Sequence, residues 1–157
     1  MNCLINNTFD MNVFNLKMFQ LFSDSLKKEK KLDFSLNELL SDGFINRNEC
    51  FLLTKLYKNQ AHISANDLID KIGYECFVNS LHIDDYVDND HFIQTILFSE
   101  AILKLWNESN NKEVLEVIVS ETDFGFNIKF HVKRNNEVWI DLNDLNNIEE
   151  AIMVLNS

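Results

Sequence analysis

Proline is absent from this chain of 157 residues, and only three glycines and three cysteines occur. Each scarcity excludes something. Proline averages about 5% of globular chains, and without it turn formation falls to the abundant asparagines. Three glycines cannot build the glycine-rich loops that cradle nucleotide phosphates. Cys3, Cys50 and Cys76 are odd in number and far apart, which fits neither a disulfide frame nor a C-x-x-C zinc site. Reduced thiols and a cytoplasmic location are expected. His62, His82 and His91 lack metal-ligand spacing, so no metal and no cofactor is expected. No run of about 18 uncharged apolar residues exists to span a membrane. The first seven residues offer no basic segment and no cleavage site, so no signal peptide is expected.

Basic residues are scarce in one half only. Residues 1–60 carry eight Lys/Arg and seven Asp/Glu, whereas residues 61–157 carry six and eighteen. Such an imbalance does nothing for the fold, since like charges repel in the compact state, but it attracts a basic partner. Hydrophobic content of 46% with thirteen Phe excludes general disorder. The length suits one domain, 1–157, burying roughly 70% of its unfolded surface. The abundance of Asn, Lys and Ile suits an AT-rich bacterial genome.

Periodicity predicts an α+β fold: a helical N-terminal half, then a three-stranded antiparallel meander and a C-terminal helix. Met11, Phe14, Met18, Leu21 and Phe22 stripe a helix over 9–31, with Thr8 as its cap and lysines 27, 28, 30 and 31 at its end. Ser35 to Glu38 reads as a capping box opening a helix at 36–41, and Gly43 as its left-handed stop. Further helices are predicted at 48–58, from Ser64 and Asp67 to Gly73, and for a turn or two around 75–81. After a polar break at 84–90, a helix over 91–107 is apolar on most faces and should be the central buried one. Strands are then predicted at 115–119 and 124–132, with Val119 opposite Phe124. A third, at 138–142, places Val132 opposite Ile140 after a three-residue loop. Ile148, Ala151, Ile152 and Leu155 stripe the closing helix.

Candidate sites are few. The acidic run Asp84, Asp85, Asp88, Asp90 fails as an EF-hand, because Phe92 and Ile93 fall where oxygen and glycine are needed. Asp88 or Asp90 can instead cap the following helix, which leaves Asp84 and Asp85 the better partner-binding candidates. Residues 64–82 have the length of a helix-turn-helix, but 61–100 hold eight acids and one base, so nucleic-acid binding is not expected. His131 is placed on an open sheet face opposite Asp141, an ordinary cross-strand pair without a nucleophile, and no catalysis is expected. Trp139 lies opposite in phase to Val138, Ile140 and Leu142. It is either covered by another element or an accessible anchor for a partner.

A small acidic α+β domain without catalytic residues reads as a binding protein, monomeric and soluble. Its end, from Phe124-Gly125-Phe126-Asn127-Ile128-Lys129-Phe130 through Val138-Trp139-Ile140 to Glu149-Glu150-Ala151-Ile152-Met153-Val154-Leu155, resembles the immunity proteins of bacterial contact-dependent growth inhibition systems. That resemblance implies a cognate basic toxin domain, such as a nuclease, as partner and steric inhibition as mechanism; it transfers no individual residue. The alternative class is an acidic secretion chaperone, in which the first helix would serve as a groove or dimer element.

Overall fold

The computed structural model describes residues 10–25, 30–60, 62–63 and 70–157. The order along the chain is β1 (Asp10–Phe14), α1 (Leu16–Ser25), α2 (Phe34–Leu40), β2 (Phe44–Arg47), β3 (Cys50–Leu53) and α3 (Thr54–Asn59). Then come α4 (Lys71–Val78), β4 (Ser80–His82), α5 (His91–Glu108), β5 (Leu115–Glu121), β6 (Phe126–Val132) and β7 (Ile152–Asn156). The long strands form one five-stranded antiparallel sheet in the order β1-β7-β5-β6-β4, and β2 and β3 form a separate hairpin. The class is α+β. The three-stranded meander with a closing helix is wrong, because the chain ends in a strand.

The error at the end has a simple cause. Ile152-Met153-Val154-Leu155-Asn156 is buried at every position. A short run buried on both sides has the composition of a central strand and of a buried helix alike, and periodicity cannot separate them. β7 lies between β1 and β5, so Met153 and Leu155 join the main core while Ile152 and Val154 join a second cluster on the opposite face.

The first predicted helix is likewise a strand and a shorter helix, read as one stripe; Thr8, Lys27 and Lys28 lie outside the described residues. Asn15 marks the break. Its side-chain oxygen accepts from Met18 N at 3.1 Å as a helix cap and from Ile152 N at 3.1 Å, and its amide donates to the Glu150 carbonyl at 2.7 Å. α2 starts two residues early, at Phe34, capped by Asp33, whose carboxylate accepts from Ser35 N at 2.9 Å. Gly43 does take the left-handed conformation, at φ 64°.

The predicted helix 48–58 is the second half of a hairpin followed by α3. Asn48 and Glu49 both have positive φ, the backbone of a primed two-residue turn, and Arg47 pairs with Cys50. Ser64 and Asp67 lie outside the described residues. Gly73 does not end its helix; it sits in the first turn of α4, where Asp70 accepts from its N–H at 2.6 Å.

The central helix α5 matches its expected span. It lays Ile96, Phe98, Ile102, Leu103 and Trp106 on Leu115, Val117, Val119, Ile128 and Phe130. The β5–β6 register differs from expectation by four residues: Val119 faces Ile128, Glu121 faces Phe126, and the four-residue turn is 122–125. An even slip leaves the apolar faces unchanged.

α4 does what no strand does here. The hairpin strand β3 has N–H groups on its outer edge, and side chains of α4 meet them. Glu75 accepts from Phe51 N at 2.8 Å and from Val132 N of β6 at 2.7 Å. Asn79 accepts from Leu53 N at 2.8 Å and donates to the carbonyls of Phe51 at 2.9 Å and Phe130 at 3.2 Å. Both residues are fully buried. A buried donor left without a partner costs about 1–3 kcal/mol. Asn79→Ala strands several backbone groups at once, so it should destabilise by about 3 kcal/mol or more in urea unfolding. Exposed Asn143→Ala should stay within about 0.5 kcal/mol.

Candidate functional site

After β6 the chain crosses the second face of the sheet as an irregular strap, residues 133–150. The predicted third strand does not form. β6 already has β5 on one edge and β4 with α4 on the other, so no edge remains for 138–142. Only an isolated bridge joins Arg134 to Glu137. The strap is held by apolar side chains instead. Leu145 is buried, and Ile140, Leu142 and Ile148 pack on Ile118, Ile152 and Val154. At its start Arg134 is clamped to Glu75 through both guanidinium nitrogens, at 2.7 and 3.0 Å.

Beneath the strap lies a row of buried polar side chains. His131 does not face Asp141 on an open surface. It is 2% exposed and faces Glu116 across β5 and β6, the consequence of the register slip. Its Nδ1 donates to the Val132 carbonyl at 3.0 Å. Its Nε2 sits 3.2 Å from Glu116 Oε1 but outside hydrogen-bonding geometry. Lys133 Nζ stands 3.7 Å from the other carboxylate oxygen. Asn156, opposite Glu116 on β7, buries an unpartnered amide oxygen. Burial pushes the Glu116 carboxyl up, yet His131 and Lys133 more than offset it and hold the group below its ordinary value. A cavity of about 500 Å³ opens over this row, with Trp139, Ile140 and Asp141 among its walls.

Trp139 separates that cavity from a second, of about 570 Å³, lined by Phe77, Ser80, His82 and Lys129. It is 43% exposed, with Lys129 Nζ 5.3 Å from its ring centre. The expectation of partial access therefore fits, although Val138, expected in the core, is exposed. Around Trp139 the strap carries Glu137, Asp141, Asp144, Glu149 and Glu150, and no Lys or Arg follows Arg134.

The acidic run divides. Asp85 and Asp88 are exposed. Asp84 is half-buried, its Oδ1 so near Gly125 that a Cβ there would lie 2.8 Å away; only glycine tolerates that approach. Asp84 is thus a poorer surface candidate than expected. Asp90 precedes α5 in a left-handed conformation, and its side chain does not cap the helix but pairs with Lys30. Trp139 shares its second cavity with His82, but none of Asp84, Asp85, Asp88 and Asp90 lines either cavity.

Cys50 and Cys76 are buried free thiols, both pushed up by burial; neither is set up as a nucleophile. Among the described residues no group of three or more His, Cys, Asp or Glu is placed to hold a metal ion, and no helix is long and apolar enough to cross a membrane.

Glu116 went unnoticed in the sequence. Its signal was an acid at the second position of the strand Leu115-Glu116-Val117-Ile118-Val119, in phase with His131. Only the register brings the two together.

The structure is an α+β protein that sets a buried carboxylate–imidazole pair beneath an acidic, tryptophan-bearing strap on a five-stranded antiparallel scaffold. The chain belongs to the Uncharacterized protein PM0498 family, whose model matches residues 13–157. It is similar to Uncharacterized protein PM0498 of Pasteurella multocida (strain Pm70), 31% identical over 151 residues that cover 86% of this chain and 94% of that protein. No solved structure matches the chain.

The Glu116 charge should stabilise the fold fully above its unfolded value, near 4.5, and be lost as pH falls through the lower folded value. Glu116→Gln should therefore be less stable than the parent near neutral pH and lose less stability on acidification below about pH 4.5. Paired urea titrations across that range check it; parallel curves for the two proteins would contradict it.

Proposed function

We propose that this protein is an immunity protein, acting in the cytoplasm, that binds a cognate cationic toxin domain of the nuclease kind and neutralises it sterically, without catalysis of its own. The observation that carries the reading is Trp139, 43% exposed in a strap that bears five acids and, after Arg134, no base. Amphipathic aromatics in a polar setting are the commonest interface anchors. An acidic rim speeds encounter with a basic domain and fixes its orientation. Asp85 and Asp88 add two exposed acids in the segment after β4.

The secretion-chaperone reading keeps one observation of its own: Leu16 and Phe19 are exposed on α1. A stable dimer by light scattering, with no affinity for a toxin domain, would favour it.

The test is genetic and then biophysical. A neighbouring reading frame should end in a small basic domain that arrests growth when expressed alone and not when this protein is co-expressed. Failure of co-expression to restore growth overturns the reading. With the purified pair, Trp139→Ala should weaken binding by about 2 kcal/mol or more, with a smaller loss of stability. Asp85→Lys with Asp88→Lys should slow association and flatten its salt dependence, as stopped-flow rates would show.

A further inference from the structure

The cavity beneath the strap carries more chemistry than a packing defect. Its floor is Glu116 and His131, buried to 6% and 2% exposure. The Val132 carbonyl can only accept, so His131 Nδ1 carries a hydrogen. Nε2 stands 3.2 Å from Glu116 Oε1, outside hydrogen-bonding geometry and with no partner of its own. The neighbouring buried oxygen of Asn156 is an acceptor without a donor. Buried polar groups are ordinarily satisfied. Here the Glu116 carboxylate meets the cavity with no hydrogen bond, only His131 Nε2 at 3.2 Å and Lys133 Nζ at 3.7 Å beside it.

The walls complete the description. Trp139 and Ile140 offer flat apolar surface, and Asp141 lies at the rim. Arg134 adds little positive field, because Glu75 neutralises it. Lys133 is the one ammonium directed at Glu116, loosely, at 3.7 Å and from a half-exposed side chain.

From this arrangement we infer that the cavity is a receptor for a cationic side chain, arginine or lysine, of the partner domain. The inference rests on the proposed function and names what that partner inserts. The head group donates to Glu116 as Lys133 swings aside to solvent. The aliphatic stem lies along Trp139 and Ile140, a cation stem on an apolar wall. The site is thus covered by an internal lysine that occupies it weakly until a better donor arrives.

Small probes test the cavity without the partner. N-acetyl-arginine methylamide and N-acetyl-lysine methylamide, titrated into the isotope-labelled full chain, should give saturable amide shifts at 131–143 and at the Trp139 indole. The norleucine and glutamate analogues should not. Glu116→Gln should weaken the arginine probe roughly tenfold. Lys133→Met removes the internal competitor and should tighten it severalfold, which a purely structural Glu116 would not produce. Absence of saturable shifts in the parent protein, a preference for the glutamate probe, or indifference to Lys133→Met overturns the inference. Probe binding without toxin neutralisation would sink the proposed function and leave the cavity standing. Neutralisation without probe binding would do the reverse.

Discussion

Everything on the second face of this molecule depends on one buried carboxylate. Glu75 has no exposure, yet it accepts hydrogen bonds from Phe51 N, Val132 N and both arms of Arg134. A buried charge is costly unless it is paired and fully bonded, and here four donors meet it. With Asn79, one turn further on, it stands in for a strand between β3 and β6. The hairpin is thereby joined to the main sheet through side chains rather than through a backbone ladder.

That arrangement sets where the strap begins. Arg134 follows β6 by two residues, and its bidentate grip on Glu75 turns the chain back over the sheet. Leu145 and its apolar neighbours then hold the strap down on Ile118, Ile152 and Val154. Between those two anchorages Trp139 is left standing on Lys129, neither core nor free. Its position follows from what is fixed on either side of it.

Covering the second face also creates the unusual polar row. Had that face been open, Glu116, His131 and Asn156 would be hydrated and unremarkable. Under the strap they are desolvated together, and the carboxylate keeps its charge only because His131 and Lys133 outweigh burial. Of the strap's acids, Asp144, Glu149 and Glu150 are exposed, Asp141 stands at the cavity rim, and Glu137 accepts from Ile72 N at 3.0 Å.

The sequence by itself determined the class, α+β, the span of the central helix, the two paired strands β5 and β6 and their apolar faces, and the stop at Gly43. These rest on local chemistry: a 3.6 or 2.0 period, a left-handed glycine, an alternation that must keep one face dry. Tertiary structure decided the rest. β7 reads as a helix because a strand buried on both sides has no alternation to reveal it, and β1 merges with α1 into one helical stripe. The hairpin at 44–53 was hidden because its outer N–H groups are met by Glu75 and Asn79, residues more than twenty positions away. The pairing of His131 with Glu116 turned on a register slip of four residues, which leaves the hydrophobic pattern untouched and so cannot be read from it; the expected pairing with Asp141 fails because residues 138–142 form no strand. The charges fixed the sign of the surface; only the competition for the edges of β6 decided which residues that surface would carry.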